Sequence, residues 1–285
     1  MTAALRGFLV RLGVAVAFGL VLSPVAALLF PESPFHRVLT RTFMLGILLA
    51  YAWGQGGPRA WVGRLRGTGL HGPDRLLRVL FGVHLSLLVL VLILLLSLLF
   101  GGRGWVEGPF RKEFWPHLGA ALLAGILVPL FEEPLFRGYL KNIMGGPVSA
   151  LVYAAVHYFR PLRGSLPAGP EFDPLLGFKR FPEMLEGWTE PHSATLGVLS
   201  LFLFGLALNR MRDRTGSLYV GIGIHGGLVF GLNFYRRFIE EGADGSIWIY
   251  GGGRLHDGVL GTVALALLLW AAWQAPLPER LTRRP

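Results

Sequence analysis

The chain predicts an all-α integral membrane protein of about eight transmembrane helices enclosing a polar intramembrane cavity. The sequence is 53% hydrophobic and only 15% charged, an apolar share above that of a typical soluble domain. Its charges gather between long apolar blocks. A few ionisable residues (Glu132, Glu133, Arg137, His157 and His225) nevertheless stand inside or at the ends of such blocks. Charge at membrane depth is expensive, so these groups are functional-site candidates by default.

About 20 mostly apolar residues in a helix cross the hydrocarbon core. Candidate spans are 8–30, 38–53, 77–100, 118–140, 147–159, 195–209, 218–238 and 258–273. The first and third are the clearest. The fifth and sixth are short, and are kept for a histidine and for their neighbours. The run 8–30 is too long for a signal-peptide core and lacks a clear cleavage site, so it is read as a retained first span.

The net charge of +10 comes from 24 Arg and 3 Lys against 17 acidic residues. These cations lie in loops between spans, which favours anionic lipid headgroups over nucleic acid as the partner. Arg59, Arg64, Arg66, Arg75 and Arg78 crowd one loop. Arg210, Arg212 and Arg214 and the tail Arg280, Arg283 and Arg284 fall on the same side of an eight-span chain. The positive-inside rule then places both termini in the cytoplasm. The arginine bias points to a GC-rich bacterial genome, hence to a bacterial inner membrane. The Pro- and Gly-rich connection 160–192 is too broken to cross. It reads as a surface loop or lid, with Phe172, Leu175, Leu176, Phe178 and Phe181 able to rest at the interface.

Glu132 and Glu133 close the long apolar run 120–131. Glu133 and Arg137 are four apart, so they share a helix face and can pair. Glu132 is turned away by about 100°. The expected division has Arg137 holding Glu133 ionised while Glu132 serves as a base. An ion pair that merely closes a helix end is the competing reading. Pro134 cannot donate its N–H and favours a kink, and Pro129 adds a second such site. Tyr153 precedes His157 by one turn and can orient it; a lone helical histidine is otherwise usually a packing residue. Gly223, Gly227 and Gly231 form a small-residue ladder that lets helices approach closely, which could bring His225 near another span. Asn233, two turns beyond His225, can offer an amide.

Other chemistries are excluded. The chain has no cysteine, so disulfide, thiolate-metal and cysteine-nucleophile readings fall. It has no His-Glu-x-x-His motif and no Gly-x-Ser-x-Gly elbow. It also lacks a phosphate loop, and Gly251-Gly252-Gly253 reads as a turn.

Glu132-Glu133-x-x-x-Arg137, then Tyr153-x-x-x-His157, then His225 resembles the CPBP intramembrane protease family. That family includes CAAX prenyl endopeptidases and bacteriocin-processing or self-immunity relatives. The string Glu-Glu-x-Leu-Phe-Arg-Gly-Tyr-Leu at 132–140 is the most specific part, and the likeness covers roughly 116–234. It divides the chain into 1–115, N-terminal helices without recognised motifs, 116–238, the core, and 239–285, a loop, a last helix and a basic tail. The resemblance implies an intramembrane endopeptidase in which Glu132 activates water, His157 and His225 assist, and Glu133, Arg137, Tyr153 and Asn233 support. Its substrate would be a membrane-associated protein or peptide. No cofactor is fixed. Glu132, His157 and His225 can hold zinc with an open position, or polarise water without it. Two departures stand out. Tyr153 replaces the usual Phe, and Val229 occupies the place of the third motif's Asn or Asp. Valine cannot stabilise an oxyanion, which supports a catalytically silent scaffold or immunity partner as the alternative. A transporter, which also uses buried Glu, Arg and His, comes third.

Overall fold

The computed structural model describes residues 3–54, 69–70, 74–106, 114–161, 171–242, 245–252 and 254–282. Arg59, Arg64, Arg66, Gly253, Arg283 and Arg284 lie outside them. In chain order the elements are α1 (Ala3–Leu29), α2 (Phe35–Gly54), α3 (Arg75–Leu99), β1 (Arg103–Trp105), α4 (Phe114–Met144), α5 (Gly146–Val156) and α6 (Leu176–Arg180). Then come α7 (Ser193–Thr215), α8 (Tyr219–Tyr235), β2 (Ile239–Glu241), α9 (Ile247–Tyr250), α10 (Val259–Gln274) and α11 (Glu279–Thr282).

Each of the eight predicted segments is helical. Among the described residues four helices are long and apolar enough to cross a membrane: Arg6–Leu29 within α1, then α3, α4 and α7. The chain is therefore an integral membrane protein. α5 and α10 are shorter apolar helices. In lipid the backbone must satisfy its own polar groups, and a helix does so within one segment. The sixth segment, expected as a short 195–209, is longer than predicted. It runs 23 residues to Thr215, because Arg210, Arg212 and Arg214 extend the helix past the apolar stretch.

The residues divide into two compact units, one from Met1–Arg64 with Ala155–Ala194, the other from Leu65–Ala154 with Thr195–Pro285. In the first, α1 and α2 form an antiparallel hairpin. Gly46 lets it close: a Cβ there would lie 2.7 Å from the Ala15 carbonyl oxygen. Leu20, Ala27, Phe35, Val38, Leu39 and Met184 make its buried core, with Leu176 and Phe181 packed on it. The connection 160–192 is thus more than a loop. α6 continues into a 3-10 helix, Phe181–Trp188, whose apolar side chains cover the hairpin, while Phe172, Leu175 and Phe178 stay exposed. Just before α6, Asp173 accepts from the Leu175 N–H and from the Lys179 ammonium. The Lys179 hydrogen bond holds the Asp173 carboxyl below its ordinary value.

The second unit is built around α8. Both α3 and α4 pack against it, and α10 packs on α7. The glycine ladder is the reason. A Cβ on Gly223 would lie 2.1 Å from the Val79 carbonyl oxygen, and one on Gly227 2.0 Å from Ser86 Oγ. A Cβ on Gly226, on another face, would lie 2.4 Å from the Gly125 carbonyl oxygen of α4. Two short strands, not anticipated from the sequence, pair antiparallel with Arg103 opposite Glu241 and Trp105 opposite Ile239. Buried Arg103 donates through Nη2 to the carbonyls of Gly251 and Gly252 at 2.6 and 2.8 Å. Gly251, at φ +74°, makes the expected turn.

Candidate active site

α4 carries the first motif across a change of helix type. Its α-helical part ends at Glu133, Pro134–Leu140 is a π-helix, and Lys141–Met144 returns to α. The disturbance expected at Pro134 thus takes the form of a widened turn. Proline lacks the N–H that would continue the ladder, and π segments are frequent at functional sites. Ser149 of α5 donates its hydroxyl to the Phe136 carbonyl at 2.7 Å, satisfying an acceptor inside this segment.

Glu133 is fully buried. Its Oε2 lies 3.6 Å from Arg137 Nε, and its Oε1 lies 2.9 Å from Nδ1 of His225 on α8. The i,i+4 pair is therefore present, and the histidine joins it from 92 residues away. Gly221, one turn before His225, leaves room for the carboxylate: a Cβ there would sit 3.0 Å from Glu133 Oε2.

The other ring nitrogen of His225 faces different groups. Nε2 lies 3.4 Å from the Tyr153 hydroxyl and 3.8 Å from Glu132 Oε2. Glu132 is half-buried, with 19% of its side chain exposed, whereas His225 is 2% exposed. The two adjacent carboxylates thus reach opposite nitrogens of one imidazole. Accepting from Nδ1–H fixes the neutral tautomer whose Nε2 carries the lone pair.

Arg137 is also buried, and its Nη1 and Nη2 have no hydrogen-bond acceptor among the described residues. Its guanidinium stands 4.0 Å from the Tyr153 ring centroid, a cation–π contact strengthened by loss of water. Phe136 and Phe204 pack edge-on around Tyr153 and His225. Sequence reasoning missed Ser149, Phe204 and Gly221. Only Gly221 left a signal, its i−4 spacing from His225.

The structure brings together Glu132, Glu133, Arg137, Tyr153 and His225. Asn233 is engaged elsewhere: its Nδ2 donates to the Val229 carbonyl at 2.7 Å, and its backbone carbonyl lies 2.9 Å from His117 Nε2. His157 is half-buried just beyond the end of α5, in the other unit. Among the described residues no three His, Asp or Glu side chains gather as a metal would require.

Residues 113–231 match the family model of Type II CAAX prenyl endopeptidase Rce1-like proteins. This segment is therefore similar to Rce1-like CAAX prenyl endopeptidases over about two-fifths of the chain. The matched segment runs from α4 into α8 and contains all five gathered residues as well as His157. Asn233 lies beyond its end. No curated protein and no solved structure gives a significant match to the chain.

Proposed function

We propose that this chain is an intramembrane endopeptidase that hydrolyses a peptide bond of a membrane-associated protein or peptide with water activated by Glu132. The observation that carries the reading is the position of His225 between two carboxylates, 2.9 Å from Glu133 and 3.8 Å from Glu132. The shorter contact orients the ring. The longer one exceeds a direct hydrogen bond and is of a length that one water bridges. Such a water, held by Glu132 Oε2 and His225 Nε2, is the nucleophile.

In the first step the water oxygen bonds to the substrate carbonyl carbon and its proton passes to Glu132. The carbonyl oxygen becomes an oxyanion, stabilised by polar donors around His225. Collapse breaks the C–N bond, and Glu132 returns the proton to the leaving amine. Tyr153 supplies a hydroxyl beside His225 where Val229 offers none. His157 keeps the assisting role that the family resemblance gives it. Glu133 and Arg137 orient the site, and no step is routed through a metal. The chain has eight spans with both termini cytoplasmic. Glu132→Gln abolishes cleavage while leaving the helices intact; unchanged cleavage would refute the role.

A second reading is a catalytically silent relative acting as a scaffold or immunity partner. Val229 and the engagement of Asn233 with its own helix favour it. A cellular phenotype retained by Glu132→Gln would decide for it.

A further inference from the structure

α3 and α4 both pack on α8, and a groove of about 390 Å³ lies over α8 between them. Its walls are Val79, Val83 and Leu87 of α3 and Ile126 and Leu130 of α4. Its floor runs along α8 from Tyr219 to Phe230, flattened by Gly226 and Gly227. Twelve residues of helix make that floor roughly 17 Å long. Half of a ~30 Å hydrocarbon core is about the same length. The groove therefore accommodates one hydrocarbon chain reaching from one membrane face to the midplane.

One end of the groove is cationic. Tyr219 lies at the start of α8, and the Arg75 guanidinium, at the first residue of α3, stands 6.0 Å from its ring. Arg75 is exposed and marks the end of the Arg75–Leu99 span, where lipid headgroups lie. No charged residue lines the groove itself. We propose that this groove is a binding site for an anionic phospholipid, one acyl chain lying along α8 and the phosphate against Arg75. Such a lipid fastens α3 and α4 to α8, the helix that carries His225. The proposal stands independently of peptidase activity.

Native mass spectrometry of the full chain tests it, after exchange into mixed micelles of phosphatidylglycerol and phosphatidylcholine with identical acyl chains. Wild type should retain one phosphatidylglycerol in preference to phosphatidylcholine. Arg75→Gln should lose about five-fold of that preference, the effect of one cation near the surface. Ile126→Trp, at an outward-facing wall position, should reduce retention of both lipids while eluting as wild type. Leu122→Trp, also exposed and lining the groove, serves if Ile126→Trp does not fold. Equal retention of the two lipids by wild type, or retention unchanged by either tryptophan, would overturn the proposal. So would displacement of the bound lipid by a farnesylated peptide at stoichiometric concentration, which assigns the groove to a substrate chain.

Discussion

Glu133 on α4 and His225 on α8 share a 2.9 Å hydrogen bond in a site where both side chains are almost completely shielded. That bond ties the ionic turn of one helix to the glycine-rich centre of another. It also selects which nitrogen of His225 remains available to Glu132.

Glu133→Gln should therefore damage both fold and activity. It leaves Arg137 buried without its counter-charge, a change that costs about 3–5 kcal/mol when a buried pair is broken from one side. The apparent Tm in detergent should fall markedly. The double variant Glu133→Gln/Arg137→Met should lose less than the sum of the two single variants, which a double-mutant cycle measures. Additive losses would show that the two side chains do not interact.

Tyr153→Phe removes the hydroxyl near His225 but keeps the ring beneath Arg137. The expected effect is a kcat reduced about 10- to 100-fold, the scale of one hydrogen bond to a charged partner, with KM and Tm nearly unchanged. Val229→Asn added to that variant should restore part of the loss by returning an amide to α8. Tyr153→Leu, which also removes the ring, should lower Tm as well.

The i,i+4 logic made Glu133 and Arg137 legible as a pair, and the four-residue ladder made Gly223 and Gly227 legible as packing positions. Local periodicity carries that much. The histidine partner of Glu133 was not legible, because helix pairing in a membrane depends on which small-residue faces meet, and α8 has two. Pro134 signalled a disturbance in α4, but not its resolution as a π-helix, in which the Phe136 carbonyl accepts the Lys141 N–H as well as the Ser149 hydroxyl from α5. The amide of Asn233 looked available by spacing. Its i−4 bond to Val229 is a local alternative that polar side chains commonly take. The helical segment after Leu175 was hidden by the Pro- and Gly-rich stretch around it, and its order comes from packing on α1 and α2.

Glycine substitutions separate packing positions from incidental ones. Gly223→Ala drives a methyl into the Val79 carbonyl and should cost about 1–3 kcal/mol, as overpacking does. Gly119, also in an apolar helix, has nothing within 4 Å of a built Cβ. Gly119→Ala should be neutral or stabilising by up to about 1 kcal/mol through helix propensity. Thermal unfolding of the two variants side by side checks the contrast.

Arg103→Met should loosen one corner without touching the site. It leaves the Gly251 and Gly252 carbonyls without their buried donor, a loss of about 1–3 kcal/mol. Hydrogen exchange should accelerate at 246–258 and remain unchanged at 125–140. Equal acceleration at both would mean that Arg103 supports the whole unit.

The most direct measurement compares protein termini by mass spectrometry in native-host cells carrying either wild type or Glu132→Gln, both stably expressed and grown under several inducing conditions. Glu132-dependent hydrolysis predicts new termini in membrane-associated proteins that vanish in the variant, which names the substrate at the same time. Identical terminal profiles across all conditions would contradict it and assign the chain a non-catalytic role.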